Sequence, residues 1–371
     1  MIFEKNFTLC LDKRGQLKNQ CFHGGIYSVD PSLVKIDFSS NINPLGISKK
    51  VLAVIKKNLV KISSEYPDPE CTDFKRSLID HLNHLNEDVS FDCISVGNGA
   101  NELIHNFAQS FVKNEVVIPV PTYCEYQVAS KRMGAKINSV ELKNWDFDAD
   151  EIIHESKRSD AIFLCNPNNP TGLLSKSITK IIENTDSSKK ILIDESFFDL
   201  IDAKHKTTSF IGKINEFKNI VVLRSMTKSF GLAGLRLGYC VSHQSISKKL
   251  LANRIYWNVN GLAQLAGAIA LTDRTYLREA IKLIKMEREF LQNQFRHMSS
   301  FSCLPSDVNY LLIKSKKLSS NKIHDLLLKN SGILVRDCST FKGLDKKYIR
   351  VAVKLHKDNL LLLRSLKMLD N

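Results

Sequence analysis

Ser225-Met226-Thr227-Lys228-Ser229-Phe230-Gly231 runs on into Gly234-Leu235-Arg236-Leu237-Gly238, and the block follows directly on the apolar run Ile220-Val221-Val222-Leu223. A short run rich in β-branched residues reads as a buried strand. Lys228 therefore stands just past a strand's carboxyl end, among small and apolar neighbours. A lysine at such a place is ordinarily a solvated charge. In apolar surroundings its pKa falls, and the neutral amine condenses with an aldehyde to a Schiff base. The hydroxyl three residues before it (Ser225) and the guanidinium eight after it (Arg236) are groups suited to a phosphate.

Working outward, Glu115–Val120, Ala161–Cys165 and residues 191–194 and 237–241 are further strand-like runs, separated by more polar helical stretches such as residues 175–184. That alternation predicts an α/β domain with a largely parallel sheet, its functional residues at the strands' carboxyl ends. The pattern changes from about Arg254. Residues 262–272 read as a buried helix and 274–299 as a long amphipathic one. Strands are then expected at 310–313, 333–336 and 348–353, with helices at 321–329 and after Lys357. The expected organisation is a large domain over residues 45–253 and a smaller α+β domain from residues 1–44 and 254–371.

Composition excludes several classes. Of 371 residues, 43% are hydrophobic and 25% charged, as in ordinary globular proteins. No run of apolar residues is long enough to span a bilayer. The N-terminal stretch mixes charges with apolar residues and lacks a signal peptide's apolar core, so a cytoplasmic location is expected. None of the nine cysteines forms a C-x-x-C pair; reduced thiols are expected, with no metal site. The net charge of +14 is dispersed in pairs such as Lys49-Lys50 and Lys189-Lys190. That argues against nucleic-acid binding and for attraction of small anionic substrates.

Three more segments carry chemistry. Gly97-Asn98-Gly99-Ala100-Asn101-Glu102 is a glycine-rich turn opening a helix, whose free N–H groups and dipole favour an anion. Asn166-Pro167-Asn168-Asn169-Pro170-Thr171-Gly172 reads as a turn after the strand ending at Cys165. Asp194-Glu195-Ser196-Phe197 places an acid at another strand end. Each is unremarkable alone; together with the lysine block they form a pattern.

That joint pattern resembles the class I/II aminotransferase family of fold-type-I pyridoxal-phosphate (PLP) enzymes, from about His23 to the C-terminus. The resemblance implies PLP as cofactor and Lys228 as its Schiff-base lysine. Ser225, Arg236 and the turn Gly99-Ala100-Asn101 would hold its phosphate. Tyr123 would stack on the pyridine ring, Asn169 would bond the phenolic oxygen and Asp194 would pair with the ring nitrogen. Tyr66, in Tyr66-Pro67-Asp68-Pro69, would reach the neighbouring site of a homodimer. Arg350 matches the arginine that grips a substrate carboxylate, and Arg336 a second arginine of phosphate-handling members. Phe197 departs from the pattern: the branch usually has tyrosine there, whose hydroxyl touches the phenolic oxygen.

Within the family the chain is similar to the branch of histidinol-phosphate aminotransferases and threonine-phosphate decarboxylases. His23-Gly24-Gly25, the stretch Asp37-Phe38-Ser39-Ser40-Asn41-Ile42-Asn43-Pro44-Leu45-Gly46, the residues 337–344 and Arg350-Val351-Ala352-Val353-Lys354 resemble the decarboxylases. The resemblance implies conversion of L-threonine O-3-phosphate to (R)-1-amino-2-propanol phosphate for cobalamin biosynthesis, with His23, Asn43, Asn169, Arg336 and Arg350 meeting the substrate. The alternative is a 2-oxoglutarate-dependent histidinol-phosphate aminotransferase of histidine biosynthesis. A non-catalytic binding protein on the same fold is the third reading, disfavoured by the intact Lys228, Asp194, Asn169 and Arg236.

Overall fold

The computed structural model describes residues 23–201 and 209–370. In chain order the elements are β1 (Ile36–Asp37), α1 (Lys49–Ser63), α2 (Thr72–Asn83), β2 (Ile94–Gly97), α3 (Ala100–Phe111), β3 (Glu115–Val120), α4 (Glu125–Arg132), β4 (Lys136–Glu141), α5 (Ala149–Ser156), β5 (Ala161–Cys165), α6 (Ile178–Asn184), β6 (Lys190–Asp194), β7 (Ile220–Ser225), α7 (Met226–Ser229), β8 (Gly238–Ser242) and α8 (Gln244–Ala252). There follow α9 (Gly261–Leu271), α10 (Arg274–Phe295), β9 (Phe301–Cys303), β10 (Tyr310–Ser315), α11 (Ser320–Ser331), β11 (Ile333–Leu334), β12 (Arg336–Asp337), β13 (Tyr348–Ala352) and α12 (His356–Lys367).

The large sheet has the order β2-β8-β7-β6-β5-β3-β4. Only β8 runs against the rest, pairing antiparallel with both β2 and β7. Alternate residues of its strands serve opposite faces. Ile162, Leu164, Ile191, Ile193, Ile220 and Val222 enter one core, while Ala161, Phe163, Leu192, Val221 and Leu223 enter another. Both faces are covered, as parallel strands require, which is why these runs read as continuous apolar segments rather than alternating ones.

The smaller body is an antiparallel sheet of order β12-β13-β10-β9, with the two-stranded parallel ladder β1-β11 beside it. Residues 36–38 pack against it: Ile36 pairs with Ile333, and Phe38 N–H donates to the Leu334 carbonyl. One strand expectation is corrected. Residues 333–336 do not form a single strand; Ile333–Leu334 pair with β1, and after Val335 the chain changes partner so that Arg336–Asp337 pair with β13. Ile333, Leu334, Val335 and Arg336 are all buried, so no change in exposure marks the switch.

We propose the two-domain division with α10 as connector, since Ile284 lies in the large core and Leu291 and Phe295 in the small one. The large core also takes in Val259, Ala263 and Ala266, beyond residue 253. Gly267 lets α9 approach closely: a Cβ there would stand 2.3 Å from Leu237 and 2.8 Å from Phe74. Among the described residues no helix is long and apolar enough to cross a membrane. Six cysteines (71, 93, 165, 240, 303 and 338) are free thiols, but Cys124 is disulfide-bonded, against the expectation of reduced thiols throughout. Cys10 and Cys21, with the rest of residues 1–22, lie outside the described residues.

Candidate active site

The carboxyl ends of the parallel strands converge on one cavity of about 300 Å³. Ala100 and Asn101 follow β2, Tyr123 follows β3, Asn169 follows β5, Asp194 ends β6, and Ser225 ends β7 with Lys228 in the single turn beyond it. The small body closes the other side with Arg336 on β12 and Arg350 on β13, and His23 comes in from the N-terminal segment.

The turn before α3 is built to take an anion. Gly99 has φ +80° and makes no side-chain cap, so among the described residues the first-turn N–H groups are left without a capping side chain at this position. A Cβ on Gly99 would stand 2.5 Å from Arg236 Nη2, which fixes glycine at this position. Glu102 accepts from Asn98 N–H and from Asn258 at 2.9 Å, and so anchors the turn. Ser225 and Thr227 hydroxyls lie 2.7 Å apart at the same end of the cavity.

Asp194 is buried, and burial pushes its carboxyl above the ordinary range. Two donors oppose that rise, Ser196 N–H at 2.9 Å and the Tyr126 hydroxyl at 2.6 Å. Tyr126 is itself fully buried, stacked on Phe163. Burial, with the Arg350 and Arg236 guanidiniums nearby, lowers the Lys228 ammonium to about 8. A desolvated lysine amid cations has the neutral amine within reach near physiological pH.

Arg350 is buried and richly held. It donates to Asn169 Oδ1 and, at 2.8 Å, to the Ser39 carbonyl. With the Asn41 amide turned so that its oxygen faces the guanidinium, Nη1 and Nε also lie 3.2 Å from that oxygen. Arg336 donates to Thr340 at 3.1 Å and lies over the Phe341 ring. Phe197 sits edge-on to Tyr310 at 4.9 Å and offers no hydroxyl.

Eleven of the residues expected from the sequence line the cavity: His23, Ala100, Asn101, Tyr123, Asn169, Asp194, Ser225, Lys228, Arg236, Arg336 and Arg350. Gly99 acts from behind, by leaving room for Arg236. Asn43 is placed differently: its N–H donates to the Lys228 carbonyl and its side chain to the Ser229 carbonyl, so it braces the lysine turn from outside the cavity lining. Tyr66 lies away from the cavity, 80% exposed and stacked on Trp257 at 4.5 Å. The sequence reading missed Tyr126, Glu125, His105 and Ser39. Ser39 lies in the segment 37–46 already noted but was not singled out there; Tyr126, Glu125 and His105 carry no local signal.

The donor set fits PLP at both ends. Helix N–H groups, two hydroxyls and Arg236 suit the phosphate, and the buried carboxylate of Asp194 suits a protonated ring nitrogen. The chain belongs to the class I and II aminotransferase family, whose family model matches residues 34–364, and this is a family of PLP-dependent enzymes. It is 31% identical over 354 residues to a histidinol-phosphate aminotransferase of Methanococcus aeolicus, covering 93% of this chain and 92% of that one. It is 33% identical over 362 residues to a protein of Caldanaerobacter subterraneus named "Putative threonine-phosphate decarboxylase", covering 96% and 95%. The fold is shared with histidinol-phosphate aminotransferase from Sinorhizobium meliloti, solved in complex with pyridoxal-5'-phosphate, at TM-score 0.85 and 20% identity, covering 100% and 98%.

Proposed function

We propose that the chain is an L-threonine-O-3-phosphate decarboxylase, forming carbon dioxide and (R)-1-amino-2-propanol phosphate for the aminopropanol arm of cobalamin. The observation that carries an anionic, phosphorylated substrate is the pair Arg336 and Arg350. They stand directly opposite each other on antiparallel strands, both buried, both at the cavity. A guanidinium presents N–H donors in a planar fork that suits carboxylate and phosphate alike. Threonine phosphate brings two anionic groups, a carboxylate for Arg350 and a phosphate for Arg336.

The choice of decarboxylation rests on the segments that resemble such enzymes. Residues 23–25 and 37–46 meet at the cavity: Gly25 N–H donates to Ser39 Oγ at 2.7 Å, and Ser39 passes its carbonyl to Arg350. Phe197 supports the same side. Bound PLP supplies an electron-accepting ring for the negative charge left at Cα when a bond there breaks. With PLP bound, Asp194 would keep the ring nitrogen protonated, Arg350 would hold the carboxylate, and Lys228, as its ammonium, would supply the proton that replaces carbon dioxide at Cα. One proton is taken up for each carbon dioxide released.

The second reading, histidinol-phosphate aminotransferase, is favoured by the names of most relatives. Purified holoenzyme incubated with O-phospho-L-threonine should release carbon dioxide. Glutamate from histidinol phosphate and 2-oxoglutarate, with no carbon dioxide from threonine phosphate, would establish the second reading instead. We propose a cytoplasmic homodimer, since Tyr66 with Tyr256 and Trp257 makes an exposed aromatic cluster. Sedimentation at about twice the 42.0 kDa chain mass checks this, and a monomer at micromolar concentration refutes it.

A further inference from the structure

Glu125 opens α4 with its side chain buried and in contact with His23, which lines the cavity. Its Oε1 lies 2.8 Å from His23 Nε2, and its Oε2 lies 3.2 Å from His105 Nε2. Hydrogen bonds from His105 and His23 hold the carboxyl down to about 2. It is therefore a carboxylate at any working pH, and a carboxylate only accepts. Both imidazoles must then carry a proton on Nε2. For His23 that proton is committed to Glu125; a phosphate oxygen only accepts, so it is as the imidazolium, with a second proton on Nδ1, that His23 has an N–H left for such a ligand.

The His23 ring is also fixed in space. Its centroid is 5.8 Å from that of Tyr123, at 53°. Gly24 lies flat on Ser39, where a Cβ would stand 2.7 Å from the carbonyl oxygen. The backbone after His23 is thus tied to the residue that holds Arg350, while its side chain is tied to α4. A bare carboxylate beside a site for a dianion would repel it; here each oxygen accepts from an imidazole N–H, and the imidazolium form of His23 offsets the charge. The same cavity presents Arg236, Arg336, Arg350 and Lys228 as cations and Asp194 as an acid.

We propose that Glu125, braced by His105, is a positioning residue that sets His23 Nδ1 toward the substrate's phosphate and so makes the site prefer a phosphorylated amino acid to the bare one. The inference rests on the phosphorylated-substrate reading above. Glu125 touches His23 and His105 touches Glu125, neither of them the reacting atoms, so their effect belongs in recognition of the phosphate.

Calorimetric titration of inorganic phosphate into holoenzyme, whose cofactor phosphate site is already filled, tests this. Wild type should bind phosphate, and Glu125→Gln should bind it about 10-fold more weakly, the loss of one charge-assisted hydrogen bond. In steady state the change should fall on KM for O-phospho-L-threonine rather than on kcat, with KM for L-threonine unmoved. His105→Gln, which keeps an N–H donor, should behave as wild type, and His105→Leu should reproduce Glu125→Gln; this pair serves if Glu125→Gln fails to fold. Equal phosphate affinity in wild type and Glu125→Gln, or equal KM losses for both amino acids, overturns the role of Glu125 and leaves the substrate reading standing. Wild-type holoenzyme that binds no phosphate overturns both.

Discussion

Two acid–base groups set the chemistry at the level of single residues, and each is tuned by a neighbour. The Tyr126 hydroxyl opposes the burial that raises Asp194. Tyr126→Phe removes that donor, so the carboxyl should rise further and hold the ring nitrogen's proton less well. A hydrogen bond to a charged group is worth about 1.5–3 kcal/mol, so kcat/KM should fall by about 10- to 100-fold. An unchanged kcat/KM would remove Tyr126 from the site. Lys228 supplies the second case. Only its neutral amine attacks the aldehyde, so the rate at which apoprotein takes up PLP should climb with pH and level off above about 8. Burial is the main cause of that low value and Arg350 the next. Arg350→Gln withdraws a cation, favours the ammonium, and should move the inflection to higher pH. Stopped-flow absorbance reads both curves; coincident inflections would refute the coupling.

At the scale of elements, the helix α3 turn shows why a motif that is common in sequences becomes specific in place. Gly99 is held at φ +80° with Arg236 against it. Gly99→Ala adds both backbone strain and a Cβ 2.5 Å from Arg236 Nη2. The guanidinium must swing away from the phosphate, and PLP should dissociate about 10-fold more readily, as dialysis followed by absorbance would measure. Wild-type retention would mean that Arg236 does not need this approach. The strands were legible because both faces of the large sheet are covered, so apolar runs such as Glu115–Val120 and Ala161–Cys165 coincide with the elements themselves. The break at Val335 was not legible, because a strand that changes partner stays buried on both sides of the change.

The whole molecule adds what holds the site's frame together. Behind the cavity, Arg224 on β7 donates to Glu195 at 2.8 Å, to Asp199 at 2.5 Å and to Ser209 at 3.0 Å, and lies over the Phe198 ring. All of Arg224, Glu195 and Asp199 are buried. Arg224→Met strands two acids without their cation, which typically costs about 3–5 kcal/mol. Denaturant unfolding should register that loss, and a change below about 1 kcal/mol would show that the acids are neutral in the folded protein.

From the chain alone came the strand order along the sequence, the lysine with its serine and arginine, the acid at Asp194 and the two arginines of the small body. The strands follow from apolar periodicity and turn residues, whereas the lysine block, Asp194 and the two arginines are singled out by the resemblance of their segments to the family. Tertiary structure decided that Arg336 faces Arg350, that Glu125 joins His23 to His105 across 102 and 20 residues, that Tyr126 rather than a distant group serves Asp194, and that Asn43 braces the lysine turn. Such contacts join side chains that only the packed sheet and the two bodies bring within hydrogen-bond reach, and no local pattern encodes a distance between segments.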